Sequence, residues 1–77
     1  MSGQQLRQRR IAAGIAGALL SERARVDRAR LCHIERGYSQ PSEAEVSRLT
    51  QALDELTKAR RKVAEYAARC GWPMPEI

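Results

Sequence analysis

The sequence predicts an all-α fold, a compact helical bundle with a long C-terminal helix, and three observations carry that expectation. Two capping boxes stand at Ser2-Gly3-Gln4-Gln5 and Ser42-Glu43-Ala44-Glu45, in which a serine caps the amide three residues on and a glutamine or glutamate reaches back. From Val46 to Cys70 the apolar residues follow a 3-4 spacing, the signature of one helical face. Nowhere does apolar and polar alternation persist long enough for a strand.

The first box opens helix 1, expected over about residues 3–13 and ended by Gly14, which can adopt the left-handed conformation that stops helices. Residues 15–23, alanine-rich and carrying Leu19 and Leu20, read as a second helix of about two turns. Asp27 is a good N-cap for the third. In it, Leu31 and Ile34 share one face while Arg28, Ala29, Cys32, His33 and Arg36 take the other. Gly37 stops that helix, and Tyr38-Ser39-Gln40-Pro41 forms a polar turn. The second box then opens the longest helix, which should run to Cys70, with Gly71 and Pro73 ending it and Trp72 folding back on its last turn.

Length and cysteine usage exclude whole classes of function. A chain of 77 residues makes one small domain, since single domains usually run to about 100–150 residues. Cys32 and Cys70 form no disulfide framework, and the single histidine, His33, sits beside Cys32 without a second pair at metal-ligand spacing. No metal or cofactor is expected. One histidine, no glycine-rich phosphate loop and no clustered carboxylates leave no acid-base pair and no activated nucleophile, so the chain is not expected to be an enzyme or to have a small-molecule substrate. The apolar runs fall short of a membrane span, and the start of the chain lacks a signal peptide's basic and apolar regions. The expected location is cytoplasmic.

Charge divides unevenly. Residues 1–38 carry Arg7, Arg9, Arg10, Arg23, Arg25, Arg28, Arg30 and Arg36 against Glu22, Asp27 and Glu35, whereas residues 39–77 are balanced, so the net charge of +5 lies in the first half. Arginine's planar fork suits phosphate and guanine. An arginine- and alanine-rich composition is also what a GC-rich genome produces.

Two short helices joined by a tight turn, the second with a basic outer face, describe a helix-turn-helix. The region between residues 6 and 53 resembles the Cro/C1-type (XRE-like) helix-turn-helix family of phage and bacterial repressors. The resemblance rests on Leu6, Arg10, Gly14, Leu20, Val26, Leu31, the run Ile34-Glu35-Arg36-Gly37, Pro41-Ser42 and Ala52-Leu53. It implies a lambda repressor-like bundle, double-stranded DNA as partner, and a structural ion pair between Arg10 and Glu35. There are departures. Gly17 stands where the family usually has a phosphate-binding glutamine, so backbone amides at that helix start would have to hold the phosphate. Ser21 replaces a small alanine, Arg25 the turn glycine, Arg30 a small residue, and Asp54 the glycine that normally ends the fourth helix.

The major groove, about 12 Å wide, admits one helix whose N-terminal side chains reach base edges. The expected base-contacting set is Arg28, Ala29, Cys32 and His33. Arg28 would bond guanine and Ala29 touch a thymine methyl, the alternative for Arg28 being an ordinary solvated arginine. The resemblance implies phosphate contacts at Gly17, Arg36, Tyr38, Ser39 and Gln40, which set register and supply salt-dependent affinity. Tyr38 has a second reading, as a core aromatic covering Leu31.

The resemblance, which ends at Leu53, implies a DNA-binding domain, residues 1–53, followed by a helical extension, residues 54–77, into which the 3-4 stripe continues. Within the extension, Leu56, Val63, Ala67 and Cys70, flanked by Tyr66, are expected to lack a partner in their own chain and to form a dimer interface, the alternative being a terminal helix that packs back on its own domain. The sequence thus predicts a homodimeric transcriptional repressor on an inverted-repeat operator. The alternative is a protein-interaction module, such as an antitoxin or adaptor, that holds a protein partner and has lost DNA affinity.

Overall fold

A computed structural model describes residues 2–71, to which the structural statements below refer, and it is all helical: α1 (Gly3–Ala12), α2 (Gly17–Ala24), α3 (Arg28–Glu35) and α4 (Glu43–Cys70). Trp72 and Pro73 lie outside the described residues. Both capping boxes are formed. The Ser2 Oγ accepts from the Gln5 amide at 3.2 Å while Gln5 Oε1 accepts from the Ser2 amide at 3.0 Å, and Ser42 and Glu45 repeat the exchange at 3.2 and 2.9 Å.

The second helix begins later than the sequence suggests. Ile15 is not helical; it is a buried loop residue, 2% exposed, whose amide donates to the Arg10 carbonyl at 3.1 Å. Burial of an apolar side chain from an extended segment outweighs the helical tendency of its neighbours. Arg25 ends α2 at φ 56, ψ 42, the left-handed region, where a Cβ costs about 1–2 kcal/mol.

α1, α2, α3 and the first half of α4 enclose a core of Leu6, Ile15, Leu20, Val26, Leu31, Ile34, Leu49 and Leu53, with Ala24 and Ala52 filling the close approaches. Burying a leucine or isoleucine of this kind contributes about 1.5–3 kcal/mol. Gly3 has a packing reason, because a Cβ there would run into the carbonyl of Ile34, so α1 starts directly against the end of α3.

The core does not stop at Leu53. Leu56 packs against it, and the Arg60 side chain lies over Gly14, which sits at φ 73. Leu56 therefore has the intrachain partner that it was expected to lack: α4 continues straight past residue 54, and its inward face is still over the bundle one turn later. Asp54 supports that continuation by accepting a hydrogen bond from Arg9 of α1 at 3.3 Å. The molecule's long axis, 42 Å against 19 and 18 Å across, equals the length of about 42 Å that 28 residues of helix would have at 1.5 Å each.

Candidate nucleic-acid interface

α3 begins where Asp27 fixes it: the Asp27 Oδ2 accepts from the Ala29 amide at 3.0 Å. This places Arg28 and Ala29 in the exposed first turn. Leu31 and Ile34, at 2% and 1% exposure, face the core. His33 is exposed and Cys32 half-buried. At the other end, Gly37 takes φ 80 and the Tyr38 amide donates to the His33 carbonyl at 2.9 Å, a helix-ending bond that orients the following loop. Tyr38 is 72% exposed, its ring edge-on to His33 at 6.1 Å. The reading of Tyr38 as a lid on Leu31 is thereby excluded.

Arg10 and Glu35 meet behind this surface. Arg10 Nε and Nη2 donate to the two Glu35 carboxylate oxygens, each at 2.9 Å, and Nη1 donates to the Ile15 carbonyl, also at 2.9 Å. The side chains are 15% and 8% exposed. One guanidinium thus joins α1, the loop before α2, and the end of α3.

In front of that pair lies a cleft of about 250 Å³ lined by Arg7, Arg10, Gly17, Arg28, Leu31, Cys32, Glu35 and Arg36. Glu35 neutralises Arg10, which leaves Arg7, Arg28 and Arg36 as the cleft's uncompensated cations. Gly17 opens α2, and its N-cap Ala16 has no side-chain hydrogen bond to offer, so the first amides of α2, at the edge of the cleft that Gly17 lines, have no side-chain cap. Three cations and a helix N-terminus around one cleft suit an anion such as a backbone phosphate. Arg7 is a member that sequence reasoning missed, although its place three residues before Arg10, on the same helical face, was a readable signal.

The loop after α3 is held from behind. Arg30 donates through Nε to Glu45 Oε2 at 3.1 Å, through Nη2 to Glu45 Oε1 at 3.0 Å, and through Nη2 to the Gln40 carbonyl at 2.9 Å. The Arg30 hydrogen bond, aided by the Ser42 amide, lowers the Glu45 carboxyl to about 2. Ser39 is half-buried, while Gln40 and Arg36 are exposed.

The eight arginines of residues 1–38 fall into two groups. Arg9, Arg10, Arg23 and Arg30 pair with Asp54, Glu35, Glu55 and Glu45, and every one of these bridges joins two different helices. Arg7, Arg25, Arg28 and Arg36 have no carboxylate partner among the described residues, and all but Arg25 line the cleft. Half of the eight arginines in residues 1–38 are scaffold.

The residues expected to form a dimer interface are not brought together as one surface. Leu56 packs on the core and Ala67 is buried, whereas Val63 and Tyr66 are 46% and 68% exposed and Cys70 is exposed. Among the described residues, no group of histidine, cysteine and carboxylate side chains could hold a metal, and no helix is long and apolar enough to cross a membrane.

A family model described as a helix-turn-helix domain matches residues 3–64. No curated protein and no solved structure matches the chain.

Proposed function

The chain belongs to the helix-turn-helix domain family, and from that premise we propose that it is a sequence-specific DNA-binding transcriptional regulator, a repressor of the Cro/C1 kind. In this reading α3 enters the major groove, with Arg28, Ala29, Cys32 and His33 toward base edges. Arg7, Arg36 and the α2 amides at Gly17 take one backbone phosphate in the cleft, and Tyr38, Ser39 and Gln40 follow the backbone beyond it.

The observation that carries the proposal is the sorting of the arginines. Of the eight arginines in residues 1–38, three without a carboxylate partner among the described residues, Arg7, Arg28 and Arg36, gather beside the exposed start of α3, whereas Arg9, Arg10, Arg23 and Arg30 are tied to carboxylates. A surface serving only a protein partner has no need of cations and helix amides directed at one small anionic site.

One α3 covers one half-site, so specific affinity calls for two copies on an inverted repeat with half-sites about 34 Å apart. With Leu56 and Ala67 covered, the stripe left for pairing in solution is small, and the homodimer of this proposal assembles on the operator. Residues 1–53 supply the DNA contacts, while α4 beyond residue 53 extends the bundle as far as Cys70.

The test is titration of the purified protein against a pool of genomic fragments across a salt series. Log affinity should fall with log salt by about 0.9 for each phosphate contact. Absence of any shift at low salt would end the proposal.

A further inference from the structure

The distal half of α4 carries a second surface, independent of the cleft. Ala59, Val63, Tyr66 and Cys70 recur at i, i+4, i+7 and i+11, the spacing of one helical face, and all four are exposed. This is not the inward face, which runs through Leu49, Leu53 and Leu56. The stripe is bordered on its solvent side by Lys58, Lys62 and Arg69, each exposed. Between residues 57 and 71 the chain holds Lys58, Arg60, Arg61, Lys62 and Arg69 against the single acid Glu65.

We infer that this stripe docks an acidic amphipathic helix of a protein partner. Complementarity of charge selects that occupant. A second copy would bring an identical basic border against this one, and like charges facing each other oppose pairing. A helix with leucines on one face and glutamates on its borders meets both features, since its apolar face covers Val63 and Tyr66 while its carboxylates reach the lysines and Arg69. A lipid surface fits less well, because a face of alanine, valine, tyrosine and cysteine is narrow and weakly apolar beside those of interfacial helices.

The experiment uses the full chain and three probes: a synthetic amphipathic helix of leucine and glutamate, a peptide of the same composition in scrambled order, and phosphatidylglycerol vesicles. The amphipathic peptide is expected to bind at about micromolar to tens of micromolar affinity, at least about tenfold more tightly than the scrambled one. Val63→Lys, which adds positive charge while removing apolar surface, is expected to lower that affinity about tenfold. Lys62→Glu is expected to lower it as well. Circular dichroism checks that each variant folds, and Tyr66→Ser replaces Val63→Lys if that one does not. Equal binding of the scrambled peptide, or tighter binding to Val63→Lys, would overturn the inference by showing charge alone at work. A parent chain that sediments as a dimer and is dissociated by Val63→Lys would overturn it in favour of a second copy. Tighter binding to the vesicles than to the amphipathic peptide would overturn it in favour of a membrane.

Discussion

The Arg30 guanidinium grips Glu45 through two hydrogen bonds and, with the same Nη2, the carbonyl of Gln40. It joins α3 to the start of α4 and fixes the loop between them. That loop carries Tyr38, Ser39 and Gln40, so a residue placed to touch no DNA sets the position of three that are proposed to. Arg30→Ala is expected to weaken binding to all sequences alike without altering which sequence is preferred. Fluorescence anisotropy on matched and mismatched duplexes measures both quantities.

The same pair gives a pH dependence. The Glu45 carboxyl is lowered to about 2, below its unfolded value near 4.3. A depressed carboxyl contributes stability that is fully present above the unfolded value and is lost as pH falls toward the folded one. Thermal melts of the parent and Glu45→Gln should therefore differ at pH 7 and converge between about pH 4 and 2. A difference that stays constant over that window would mean that Glu45 does not titrate with folding.

Arg10 and Glu35 form the most buried of the bridges and Arg23 and Glu55 one of the exposed ones, and the cost of breaking them should differ accordingly. Glu35→Ala leaves Arg10 with only the Ile15 carbonyl and is expected to cost about 3–5 kcal/mol. Arg23→Ala removes a bridge whose side chains are 58% and 41% exposed and should cost about 0–1 kcal/mol. Urea unfolding of the two variants beside the parent provides the comparison.

Three of the four helix starts were legible because capping is local: Ser2 with Gln5, Asp27 with Ala29, and Ser42 with Glu45 are each settled within four residues. The strained turn at Arg25 was legible too, from the missing glycine. What was not legible depends on distant residues. Ile15 belongs to the loop because the core reaches it, and Leu56 is covered because α4 passes over the bundle. Counting charge placed all eight early arginines on one footing, since nothing local says that Arg9, Arg23 and Arg30 will meet acids between 15 and 45 residues away. Arg7 went unnoticed although it shares a face of α1 with Arg10, because what that face lines is settled only when α1 is laid beside α3.

Gly17 offers a gain-of-function test. A Cβ there would have Arg10 as its nearest neighbour, at 3.7 Å, so a side chain fits. Gly17→Gln adds a donor beside the α2 amides and a better helix former than glycine. It should raise DNA affinity severalfold at moderate salt, measured by mobility shift. Unchanged affinity would indicate that no phosphate lies at the start of α2.

The central claim is that α3 reads bases while the cleft holds the backbone, and Arg28 and Arg36 divide those roles between them. Selection of bound fragments from a genomic pool by the parent, Arg28→Ala and Arg36→Ala tests it most directly. Loss of Arg28 should cost about 1–3 kcal/mol on the preferred site and relax the preference at one base position in each half-site. Loss of Arg36 should weaken binding to every sequence and reduce the salt slope by about 1 while leaving the preference intact. An Arg28→Ala protein that selects the same sequence as the parent with undiminished discrimination would contradict the account.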